Sequence, residues 1–135
     1  MRKNSILIML LIGTIGSCNF EREVNLGNDY FLFGDGANTS ISKKIPEKKG
    51  VYDDIVIGEI IRYSYDNTYI LVYREVTEKC KVFFHDHKLW TEENNTPKNQ
   101  FWIIDKASEE VFGPLSFIEY LEFKKDKEIG KTLEL

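Results

Sequence analysis

Ile55-Val56-Ile57-Gly58-Glu59-Ile60-Ile61-Arg62-Tyr63-Ser64-Tyr65, Asp66-Asn67, and Thr68-Tyr69-Ile70-Leu71-Val72-Tyr73-Arg74-Glu75-Val76 form the stretch whose reading decides the fold. Both arms are rich in β-branched and aromatic residues, and Asp66-Asn67 suits a hairpin turn. With those two residues as the loop, Ile57 stands opposite Val76, Ile61 opposite Val72 and Tyr63 opposite Ile70, on an apolar face. Arg62 opposite Leu71 and Ser64 opposite Tyr69 fall on a mixed face. The pattern predicts an antiparallel sheet covered on one side, and a three-residue loop would spoil the match.

Upstream, Tyr30-Phe31-Leu32-Phe33 reads as a strand stopped by Gly34-Asp35-Gly36-Ala37-Asn38, with Thr39 to Ile45 as its partner, ended by Pro46. Glu47-Lys48-Lys49-Gly50 is an exposed loop. Downstream, Val82-Phe83-Phe84 is a short strand among charged residues, and Thr91 to Gln100 is a mobile, asparagine-rich loop. Phe101 to Asp105 and Glu110 to Phe112 are strands joined by a turn at Lys106 to Glu109, and Gly113-Pro114 breaks the second. Ser116 and Glu119 have capping-box spacing, so a helix starts there. Phe117, Tyr120 and Leu121 line its apolar face with Ile118 at the border, and Gly130 terminates it. The sum is one α+β domain: a twisted, mostly antiparallel sheet of five to seven strands with one C-terminal helix packed on it.

At the other end, Arg2 and Lys3 precede the apolar run Ile6 to Ile12, followed by Ile15-Gly16-Ser17-Cys18. Seven apolar residues are far short of the roughly 20 a spanning helix needs, and a basic start, short core and small-residue end make an export signal. Ile15-Gly16-Ser17-Cys18 resembles the lipobox of bacterial lipoproteins. That resemblance implies cleavage before Cys18, acylation of its thiol, and a lipid-anchored protein of the cell envelope. Asn19 is not the aspartate of the best-known inner-membrane retention signal, which favours the outer membrane where one exists. The division is then 1–17 as signal peptide, 18–28 as lipidated cysteine and flexible tether, and 29–135 as the domain. A second resemblance lies in Trp102-Ile103-Ile104-Asp105-Lys106, Val111-Phe112-Gly113-Pro114-Leu115-Ser116 and Glu119-Tyr120. This unit is similar to the ends of small, uncharacterised envelope lipoproteins, which imply no particular activity.

Removing residues 1–17 leaves 118 residues, enough for one modest core. The leader carries two basic residues and no acidic one, so net charge falls from −4 to −6 on its removal. An acidic surface argues against nucleic acid and against electrostatic adhesion to anionic lipid as the means of attachment. With Cys18 acylated, Cys80 has no partner within the chain, and a lone cysteine is ordinarily inert packing.

His85-Asp86-His87 sets two imidazoles on one side of an extended segment, a spacing able to hold zinc or copper. No third histidine exists, and the reading as a polar turn is preferred, with no metal and no cofactor expected. Asp53-Asp54, Glu92-Glu93 and Glu109-Glu110 pair carboxylates, but in predicted turns rather than in one cleft. Gly34-Asp35-Gly36 lacks the strand-to-helix setting of a phosphate loop, and Asp35 with Asn38 offers too few oxygens for an EF-hand. No Gly-x-Ser-x-Gly elbow occurs. Tyr65, Tyr69, Tyr73 and Trp90 remain as a weak candidate binding surface for a protein or glycan, because exposed aromatics concentrate at such sites. The sequence therefore points to a non-catalytic binding or accessory lipoprotein, attached to the membrane through the acyl chains on Cys18. An inhibitor of a toxin or lytic enzyme and a small envelope hydrolase are the alternatives.

Overall fold

The computed structural model describes residues 22–130 and 133–135. Cys18 and the leader lie outside the described residues. The chain runs β1 (Glu23–Gly27), β2 (Tyr30–Asp35), β3 (Asn38–Lys44), β4 (Tyr52–Tyr65), β5 (Tyr69–Glu75), α1 (Glu78–Phe84), β6 (Asn99–Asp105), β7 (Val111–Leu115) and α2 (Phe117–Asp126). The seven strands form one sheet in sequence order, each antiparallel to its neighbours. The expected α+β architecture, with a C-terminal helix on the sheet, is what the molecule has. Two elements were not foreseen. Glu23–Gly27, placed in the tether, is β1 and buries Leu26. Val82-Phe83-Phe84, expected as a strand, closes α1, which Thr77 caps by accepting from the Cys80 N–H.

The hairpin exists, in a different register. Asp66 N donates to Tyr69 O at 3.1 Å, and Asp66 Oδ1 accepts from the Thr68 and Tyr69 amides at 2.8 and 2.7 Å. An aspartate that caps two amides ahead of it fixes Asn67-Thr68 as the corner. Tyr65 therefore pairs with Ile70, Tyr63 with Val72 and Arg62 with Tyr73. The offset from the expected pairing is two positions here, and a shift of two keeps each of these residues on its face. Beyond it, Ile60 pairs with Arg74, which leaves Ile61 as a bulge residue, 44 % exposed instead of facing Val72.

Burial is two-sided in the middle of the sheet, where the hairpin pattern indicated one covered side. Leu26, Tyr30, Leu32, Ile41 and Val56 from β1 to β4 meet Ile70, Val72, Trp102 and Ile104 from β5 and β6. A core shared by both ends of the strand order requires the sheet to curl over it, and the 14-residue β4, bulged at Ile61, serves both halves. On the outer side, Leu71 and Ile103 pack with Tyr120 of α2 and with Ile129 and Leu133. A third cluster, Ile57, Cys80 and Phe84, lies under α1.

The closing unit differs from expectation in three details. Strand β7 runs through Gly113-Pro114 rather than stopping there. A Cβ on Gly113 would lie 2.4 Å from the Trp102 ring, so glycine is what lets β7 cross the indole. Ser116 and Glu119 do form the reciprocal capping box of α2. The helix ends earlier than Gly130, however, through Glu128 at φ 52°, with Glu128 N bonded to Lys125 O and Ile129 N to Lys124 O. That is a Schellman closure, and it delivers Ile129 to the core. The buried side of α2 is Tyr120, with Phe123 packed beside it; Phe117, Ile118 and Leu121 face outward.

Candidate functional site

The four aromatics singled out in the sequence do not assemble into one surface. Tyr65 stacks on Tyr63 at 6.4 Å near the hairpin turn, with Lys106 Nζ 5.5 Å from its ring centre. Tyr69 packs against the core under α2. Tyr73 follows it on the same side of β5, 5.0 Å from Phe101. Trp90 lies against Phe84 and Arg74, in the segment after α1.

His85 and His87 also diverge. His85 reaches Asp86 at 2.9 Å on the surface, whereas His87 Nε2 reaches Asp54 Oδ2 at 2.8 Å. The Leu89 amide donates to His87 Nδ1 at 3.0 Å, which leaves Nε2 to carry the proton toward Asp54. Ser42 Oγ donates to Asp54 Oδ1 at 2.6 Å. A carboxylate thus stands between the hydroxyl and the imidazole, so the imidazole has no contact with the proton of Ser42. The arrangement ties the post-helical segment to β3 and β4. Asp53 and Asp54, expected in a turn, are strand residues, and Asp53 accepts from Lys88 at 2.8 Å.

Two buried cations escaped the sequence reading. Arg74, 1 % exposed, donates from Nη1 to Asn94 O and Gln100 Oε1 at 2.9 Å each, and from Nη2 to Asn95 Oδ1 at 3.0 Å. Burial lowers its pKa to about 10, against a smaller opposing influence of Cys80. These bonds pin the asparagine-rich loop that was expected to be mobile. Gly58 makes room, since a Cβ there would sit 2.7 Å from Arg74 Nε. The other cation, Lys106, donates to the carbonyls of Leu26 and Asp66 and joins β1 to the hairpin turn. Arg74 had a signal: it continues the inward alternation of Ile70 and Val72, where a cation is out of place.

A groove of about 400 Å³ lies beside α2. Its floor is an aromatic run in which Phe101 lies 5.0 Å from Tyr73, 4.7 Å from Tyr120 and 5.4 Å from Phe117. Leu121 forms a wall, and Glu134 and Leu135 the facing rim. Arg62 stands over Tyr73 with its guanidinium 5.6 Å from the ring, and Lys124 Nζ lies 5.5 Å from the Tyr120 ring. A second depression, lined by Arg22, Ile61, Arg62 and Tyr63, continues the groove at the Arg62 end and shares Glu134 and Leu135 with it. Of the predicted surface only Tyr73 belongs here. The arrangement suits an apolar or aromatic group with a negative group beside it.

Residues 27–135 match a family described as protein of unknown function (DUF3997), and the chain belongs to that family. No curated protein and no solved structure matches it.

Proposed function

We propose that this member of the DUF3997 family is a lipid-anchored accessory protein of the bacterial cell envelope, acting by binding rather than catalysis. The observation that carries the reading is Ile15-Gly16-Ser17-Cys18 behind a basic start and a short apolar core. Two or three acyl chains on Cys18 hold a protein stably at a membrane, where a single chain would be marginal. The start of β1 at Glu23 supports it further, because the folded domain then begins five residues after the anchor.

The test is metabolic labelling with an alkyne analogue of palmitate, followed by fractionation. The parent chain is expected to take up label and to sediment with membranes. Cys18→Ala is expected to lose the label and leave the membrane pellet. Equal membrane partitioning of the two chains would overturn the anchor.

A further inference from the structure

We infer that the domain lies on its own membrane by the groove face beside α2, with Ile61, Phe117 and Leu121 against the bilayer interface. The inference rests on the anchor proposed above.

Three observations converge on this face. The first is reach: four peptide steps separate Cys18 from Arg22, about 14 Å at full extension. A domain of this size has a radius of gyration of about 13 Å. An anchor at Cys18 therefore keeps the side of the domain that carries Arg22 close to the lipid. Arg22 is fixed there, its Nη2 donating to Tyr63 Oη at 2.9 Å, and it shares a depression with Ile61 and Arg62.

The second observation is apolar exposure continuous with that point. Ile61 projects from the bulge of β4, and Phe117 and Leu121 project from α2, at 44, 57 and 46 % exposure. Arg62 lines both depressions and joins them into one face. Apolar and aromatic side chains with flanking arginine and lysine are the composition that settles at the headgroup boundary.

The third is charge. The chain from Cys18 onward carries −6, a charge repelled by anionic lipid. On this face, however, Arg22, Arg62 and Lys124 outnumber Glu134. None of the three cations is in an ion pair among the described residues. Repulsion of the rest of the surface and attraction of this patch favour the same orientation.

The experiment uses the full-length chain with its own leader, expressed in bacteria, with benzoylphenylalanine replacing Ile61, Phe117 or Leu121 in turn. Phe83, an exposed apolar residue of α1, is the control site. Isolated envelopes are irradiated, and intact mass reports whether the adduct is phospholipid or protein. Lipid adducts at positions 61, 117 and 121 are expected at five or more times the yield at 83. Equal yields, no lipid adducts, or adducts to a second protein would each overturn the inference, the last in favour of a protein partner. Palmitate labelling of the same samples separates the two readings: labelled chain without lipid adducts sinks the orientation alone. Adducts on unlabelled chain sink the anchor and leave the docking face standing.

Discussion

The hydroxyl of Tyr120 is buried beneath α2 and has no hydrogen-bond partner among the described residues. A buried hydroxyl without a partner forfeits its hydration and gains nothing in return. Tyr120→Phe should therefore stabilise the domain by about 1 kcal/mol, visible as a rise of about 4 °C in melting temperature. The same burial, with a smaller contribution from Glu134, pushes the phenol pKa up from 10.0 to about 12. An unfolded chain loses this proton near pH 10 while the folded chain retains it. Stability from this group is thus intact below pH 10 and is lost as pH rises from 10 to 12, by at most about 3 kcal/mol in all. Urea titrations at pH 8 and pH 11.5 check the sign: the advantage of Tyr120→Phe should grow at the higher pH. A variant less stable than the parent at both would show that the hydroxyl is satisfied after all. Arg74 is the converse case, a buried cation whose acceptors lie 20 or more residues away, at Asn94 and Asn95 of the loop and at Gln100 of β6, so its role is set by tertiary neighbours.

At the scale of elements, local chemistry was legible and pairing was not. The capping box at Ser116 and Glu119 uses atoms three residues apart, so sequence spacing is enough to find it. The hairpin was equally plain, yet its register turned on whether Asp66 forms the corner or caps it, and a separate bulge between Ile60 and Arg62 displaced Ile61. Helix α1 was missed because seven residues carry too little periodicity to oppose the β-branched and aromatic run Val82-Phe83-Phe84. The exposed face of α2 was misassigned for a related reason. Phe117 and Leu121 share the helical stripe of Tyr120, and only the path of the sheet decides which part of that stripe is covered. In β7 the Gly-Pro pair, legible only as a breaker, proves to be a packing device. Gly113→Ala should cost about 2 kcal/mol by overpacking against Trp102. Thermal melting should then fall by about 10 °C with the fold retained; a fall under 2 °C would mean that the indole moves aside without penalty.

For the molecule as a whole, the decisive feature is that a sheet in plain sequence order closes over one core from both of its ends. Strand β1 is the least apparent element in the sequence, yet Leu26 is fully buried against residues of β5 and β6 far along the chain. Its carbonyl also accepts from Lys106, the lysine that ends the Ile103-Ile104-Asp105-Lys106 run. The domain boundary at residue 29 suggested by the polar composition of 19–28 therefore cuts through the core rather than ahead of it. A chain starting at Arg22 should unfold in urea as a single cooperative transition. One starting at Asp29 loses Val24, Leu26 and one of the two carbonyl partners of Lys106. Deleting a buried leucine alone costs about 2–5 kcal/mol, a large part of the roughly 5–15 kcal/mol that holds a domain folded. The shorter chain is expected to melt at least 10 °C lower, or to lack a cooperative transition altogether. Its amides in β2 should lose hydrogen-exchange protection before those of β5 and β6, because β2 becomes an edge and the middle of the sheet keeps its cover from α2. Equal stability of the two chains would show that β1 is an appendage to the fold and not a wall of its core.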